Sequence, residues 1–205
     1  MRGVLHLWAF PAAVVAAVPF VWSAPEGVPT VAAAVFATCV AAMLGTSALY
    51  HRVFWPTRAR RLMRRADHAA IFLLIAGTYT PVGLLVLEGA WRWSVLSIVW
   101  AGAAVAIVLK LAWVDAPPWV AAGIGLAIGW TGIAAFPKIL GEIGLAGTLL
   151  LAAGGAFYTV GAVIYARKRP DPVPHVFGYH ELFHALTIGA ALCQYAAIAF
   201  FVVRA

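Results

Sequence analysis

Charge is what this sequence has least of. Only 10% of its 205 residues are charged, and acidic residues number seven, against about 25% charged in an ordinary soluble domain. A soluble chain of this length has no interior large enough for a composition that is 64% hydrophobic, so the bilayer is the natural solvent. Cysteine is scarce as well. Cys39 and Cys193 both fall inside apolar runs and read as small buried hydrophobes, so no disulfide framework is implied. No internal repeat, low-complexity segment or shift in composition marks a second domain. Residues 1–205 therefore read as a single membrane domain. Also missing is the alternation of apolar and polar residues that a transmembrane barrel needs. The apolar runs are continuous, which in lipid selects helices.

Marking the interruptions between those runs predicts seven spans, at 5–22, 30–51, 67–87, 93–113, 117–136, 143–166 and 178–203. Each is long enough for a hydrocarbon core of about 30 Å. The expected fold is thus an all-α integral membrane protein, a seven-transmembrane helix bundle. Pro11, Pro19 and Pro81 lie inside spans, where neighbouring helices absorb kinks. Only "VDAP" separates the fourth and fifth spans, which predicts a tight hairpin. The first span is kept as a helix rather than a signal peptide. It is too long for a typical signal core, and Arg2 is the only charge before it. The small-residue runs "AGAAVAIV" and "GIGLAIG" suit close helix packing and leave a homo-oligomer open.

Positive charge fixes an expected orientation. Arg2, Arg52, Arg58, Arg60, Arg61, Arg64, Arg65, Lys110, Arg167, Lys168 and Arg169 fall on the side of the N-terminus. Arg92, Lys138 and Arg204 fall on the other, a split of 11 against 3. The positive-inside rule then predicts a cytoplasmic N-terminus and a C-terminus outside. The net charge of +7 is accounted for by topology and by anionic headgroups, so no nucleic-acid partner is expected. The arginines of a predicted loop at 52–65 are placed to hold a phosphate or fatty-acid headgroup, although topology alone explains them.

Ionisable residues within spans are costly, so each is a candidate functional group. They occur as Ser47 and His51 in "SALYH", Asp67 and His68 in "RRADHAAIF", His180, Glu181 and His184 in "YHELFHA", and His6 in the first span. The predicted topology brings the end of span two and the starts of spans three and seven to one leaflet. On a helix, residues four apart share a face, so His180 and His184 can grip one metal ion. A histidine from another helix would complete a three-ligand site with a position open for water, the arrangement of catalytic zinc. Asp67 then ligates, holds a ligand histidine, or accepts a proton from the bound water, the last being preferred. Ser47 is placed to hydrogen-bond the water or a developing oxyanion.

Taken literally, "HELFH" is also the H-E-x-x-H pattern of zinc proteases. Those enzymes usually take their third ligand from downstream, and no histidine, aspartate or glutamate follows His184. A protease is therefore the weaker reading. Glu181 also suits a helix N-terminus, where negative charge meets the dipole. His68 is expected to pack at an interface, and His6 and His175 are expected at the surface or in loops.

Three stretches together, "SALYH" (47–51), "RADHAAIFLLIAGTYTP" (65–81) and "HELFHALTIGA" (180–190), resemble the hemolysin III proteins of bacteria. These belong to the progestin and adiponectin receptor superfamily, whose wider clan includes the alkaline ceramidases. The resemblance implies zinc-binding histidines at His51, His180 and His184, an aspartate at Asp67 and a serine at Ser47. It implies a zinc site near the cytoplasmic face. It further implies a membrane lipid as substrate or ligand, with hydrolysis of an amide or ester bond as the leading activity. That activity would serve lipid homeostasis in the bacterial inner membrane. A pore with structural zinc and a lipid receptor or sensor are the alternatives. Glu181 is not a defining position of that family.

Overall fold

The computed structural model of the protein describes residues 2–204, and these are helical apart from the connecting turns and one isolated bridge between Val173 and Phe177. Helix α1 runs Val4–Trp22, α2 Val28–Arg52, α3 Thr57–Pro81, α4 Gly89–Ala112, α5 Pro118–Gly129, α6 Phe136–Arg167 and α7 Tyr179–Ala197. Both α3 and α7 continue into a π-helical turn, Val82–Val86 and Ile198–Val202. Pro11 and Pro19 lie within α1 without ending it.

Many alanines pack in the interior, beside Phe36 and Phe72, and many large apolar side chains face outward. Ala32, Ala33, Ala76, Ala106 and Ala190 are wholly buried, whereas Val15, Trp22 and Val105 are exposed. That distribution suits lipid, which does not penalise an apolar exterior and which rewards close approach of backbones. Tryptophans gather at the two ends. Trp22, Trp91 and Trp93 ring one end, and Trp113 and Trp119 the other, as an interfacial belt would place them. The protein is therefore a multi-pass helical membrane protein.

The predicted division into seven separate spans is not reproduced helix for helix. By length and composition, the described residues hold six helical stretches able to cross a bilayer. The predicted spans 117–136 and 143–166 fall within a single stretch, Pro118–Arg167, of 50 residues. Its first part, α5, has only 12 residues, short of the roughly 20 that cross a hydrocarbon core. A 3-10 turn, Thr131–Ala135, then joins it to α6. Straight, 50 residues would extend about 75 Å. Instead the chain reverses at Gly144, whose φ of +66° a residue with a Cβ would resist. Trp130 and Thr159, on either side of the reversal, meet through an indole N–H donated to a hydroxyl at 3.1 Å.

A second correction concerns the arginines. Arg58, Arg60, Arg61, Arg64 and Arg65 belong to the first turns of α3, not to a loop. Pro56 and Thr57 open that helix, and arginine is a good helix former. Hydropathy marks where the apolar part of a helix begins, which here is about ten residues after the helix itself begins. Arg64 pairs with Asp115 at 2.6 Å, Arg61 with the same carboxylate at 3.6 Å, and Arg60 lies over the Tyr50 ring at 5.6 Å.

Helices α1 and α7 run parallel. Near their starts the His6 ring stacks on His184. Further along, the Tyr195 hydroxyl donates to the Ala16 carbonyl at 3.2 Å, and Phe20 packs with Ile198 and Val203. The beginning of α1 and the end of α7 therefore lie at opposite ends of the bundle.

Candidate metal centre

Two helices deliver three imidazoles to one end of the bundle. His51 ends α2, one turn beyond the buried Ser47, and His180 and His184 occupy the first turns of α7. The start of α7 is held by its own sequence. The Glu181 carboxylate accepts the backbone N–H of Gly178 at 3.0 Å, and Asp171 accepts that of Tyr179 at 2.8 Å. These are two of the donors a helix N-terminus leaves unpaired. Glu181 is thereby committed to capping. The H-E-x-x-H spacing arises from a capping residue that follows a histidine.

The three rings converge. Their centroids are 4.9 Å apart for His51 and His180, 5.2 Å for His51 and His184, and 4.6 Å for His180 and His184. One ligand nitrogen from each lies within 4.8 Å of the other two. The Nε2 atoms of His51 and His180 are 3.2 Å apart. Two nitrogens bound to one tetrahedral zinc at 2.0–2.1 Å would be about 3.3–3.4 Å apart. The donor set and this spacing fit a zinc ion, with His184 having to approach slightly. As a three-nitrogen set it leaves a fourth position unfilled by protein.

Beside the histidines begins a cavity of about 260 Å³, lined by Ser47, Asp67, His68, His180 and His184 at this end and reaching Thr78 and Gln194 further along. The Ser47 side chain approaches the Asp67 carboxyl across the α2–α3 interface. Asp67 stands outside the group of converging ligand atoms. It faces the same space, where it can accept a proton or hold a water.

The structure places the other histidines differently from one another. His175 is exposed, in the turn before α7. His68 lines the cavity, with its Nδ1 buried and unpartnered. His6, expected at the surface, is 2% exposed and lies flat against His184, with centroids 4.0 Å apart and planes within 8°. Its burial depends on α1 packing against α7, which no local pattern in the sequence reveals. The available signal was its position, a lone imidazole in an apolar span at the same end as the others. Gly3, with φ +75°, brings the chain so close to α2 that a Cβ there would meet the His51 Cβ at 2.5 Å.

Nearly the whole chain, residues 1–195, matches the family described as haemolysin-III related. The chain belongs to the haemolysin-III family. Among similar proteins of that kind, the "Hemolysin-3 homolog" of Bacillus subtilis (strain 168) is 31% identical over 147 residues, 72% of this chain and 66% of that protein. "Hemolysin-3" of Bacillus cereus is 31% identical over 156 residues, 76% of this chain and 68% of its own length. The matches thus span about two thirds of these relatives. In this haemolysin-III chain the imidazole cluster sits within the matched region, with the exposed apolar belt around it.

Proposed function

We propose that this haemolysin-III protein is a zinc-dependent hydrolase of a membrane lipid, cleaving an amide or ester bond at the His51–His180–His184 centre. The observation that carries the reading is the convergence of three imidazoles beside Asp67 and Ser47 at the mouth of an apolar cavity. Zinc, when bound, supplies Lewis acidity and brings a water molecule to a pKa near 7. The remaining roles belong to the chain. The acyl portion of the lipid lies along the cavity, whose apolar wall keeps bulk water from the carbonyl. The Asp67 carboxylate accepts the proton as water oxygen bonds to the carbonyl carbon. The Ser47 hydroxyl donates to the Asp67 carboxylate and keeps it oriented; once Asp67 has taken the proton, the hydroxyl is free to donate to an oxygen of the reacting group. As the C–N or C–O bond breaks, Asp67 returns that proton to the departing amine or alcohol.

In this reading the arginine-rich end faces the cytoplasm in a bacterial inner membrane, with the N-terminus on that side and the C-terminus outside. The parallel run of α1 and α7 and the charge split support it. The relatives' name supplies a second reading, a lytic pore. Conductance across a planar bilayer that survives metal removal would favour it. Stoichiometric lipid binding without product would favour a receptor.

Elemental mass spectrometry of detergent-purified protein is the first test. About one zinc per chain is expected in the wild type. His51→Ala and His184→Ala should each lose it, while Asp67→Ala retains it. Full zinc retention by His51→Ala would sink the cross-helix site.

A further inference from the structure

We infer that His6 is the positioning residue of this metal centre, holding the His184 ring by its face, so that the site is built from α1 as well as from α2 and α7. The inference rests on the metal reading above and extends it to a residue outside the ligand set.

Three observations carry it. First, His6 is 2% exposed and neither of its ring nitrogens has a hydrogen-bond partner. Leaving a buried polar atom unpaired is costly. A leucine would fill the same space without that cost, so volume alone does not account for an imidazole here. Second, the contact with His184 is a parallel stack at 4.0 Å, whereas the contacts among His51, His180 and His184 are inclined by 57–72°. The inclined rings are those whose nitrogens converge, and the parallel ring is the one that lies behind. Third, His184 lacks the usual means of orienting a ligand histidine. Metal-binding imidazoles ordinarily donate their other N–H to a carbonyl or carboxylate, which fixes the ring. The Nδ1 of His184 is buried with no partner among the described residues.

A flat ring packed on the face of His184 supplies the missing constraint. It blocks rotation of the imidazole about its Cβ–Cγ bond and keeps the metal-facing edge toward His51 and His180. It also presents a π-face to a ring that becomes more positive when it binds a divalent cation, an attraction of the cation–π kind. The left-handed turn at Gly3 and its close approach to His51 anchor the start of α1 so that His6 reaches this position.

The test compares His6→Phe, which keeps a flat face, with His6→Leu, which keeps apolar volume without one. Zinc affinity is measured by chelator competition on purified protein, and the cobalt-substituted visible spectrum reports the ligand field. His6→Leu should weaken zinc about tenfold or more, the lower end for loss of an outer partner of a ligand histidine, and broaden or shift the cobalt bands. His6→Phe should restore most of the affinity and the wild-type spectrum. Wild-type affinity and spectrum in His6→Leu would overturn the inference while leaving the three-histidine site intact. Equal loss in both variants, with a spectrum showing one nitrogen fewer, would overturn it in favour of His6 as a ligand. A wild type that binds neither zinc nor cobalt would remove the metal reading and this inference together.

Discussion

The two ends of the bundle treat polar groups in opposite ways. At the end away from the histidines, donors meet acceptors. The Tyr79 hydroxyl donates to the Gly129 carbonyl at 2.6 Å and accepts the Gly132 N–H at 3.0 Å. Trp100 donates to the Thr80 hydroxyl at 3.2 Å, and that hydroxyl donates to the Ala76 carbonyl at 2.9 Å. At the histidine end Glu181, Asp171 and Arg64 are paired, but buried atoms around the imidazoles are left open. Among the described residues, seven buried side-chain atoms lack partners, and five of them belong to His6, His68, His184 and Arg65. The other two, the Tyr158 hydroxyl and Gln194 Oε1, belong to residues that line the cavity leading away from that end. Satisfied groups secure helices in lipid, where each unpaired group is expensive. Groups left open where several imidazoles meet accord with the metal site proposed there.

Substitutions at each end should separate the two behaviours. The largest effect is expected from Asp67→Asn, which keeps the size and most hydrogen bonding of the side chain but not its basicity. Lipid turnover should fall about 10²–10⁴-fold, the range for loss of a general base, with zinc content unchanged. Turnover at the wild-type rate would remove Asp67 from the chemistry. Tyr79→Phe, at the satisfied end, should do the reverse. It strands the Gly132 N–H and should cost about 1–3 kcal/mol of stability, read as a lower unfolding midpoint in detergent, with zinc content and turnover per folded molecule intact. If zinc were lost instead, the two ends would be coupled and the contrast between them would fail. The smallest effect is expected from Glu181→Ala, which removes the cap at Gly178. A loss of about 1 kcal/mol with retained turnover is expected. Abolished turnover with metal still bound would revive the protease-like role of that glutamate.

The fold class, the ends of most helices and the meeting of His51, His180 and His184 were legible because each follows from local pattern. Apolar run length sets the spans, and four-residue spacing sets the shared face of His180 and His184. Charge asymmetry gives the ends an expected orientation. What escaped has non-local causes. The arginines at 58–65 are helical because a helix can extend beyond the apolar part that hydropathy detects. The break within 118–167 was expected between the predicted spans 117–136 and 143–166, but the means of making it, the Gly144 conformation and the Trp130–Thr159 hydrogen bond, have no hydropathy signature. His6 was misplaced because its burial depends on α1 lying beside α7, and nothing near residue 6 encodes that neighbour. Glu181 illustrates the converse. Its capping role was readable from its place in the first turn, and the protease pattern competed with it only as a string of letters.

The stacking of His6 on His184 also bears on how the protein is made. A chain that emerges from the ribosome at about 5–20 residues per second inserts α1 and α2 many seconds before α7 exists. Until then, His6 and His51 sit in lipid as isolated imidazoles with nothing to join. The centre cannot close during synthesis. It can close only once α7 has been made, so metal bound as proposed would require helices from both ends of the described residues to have met.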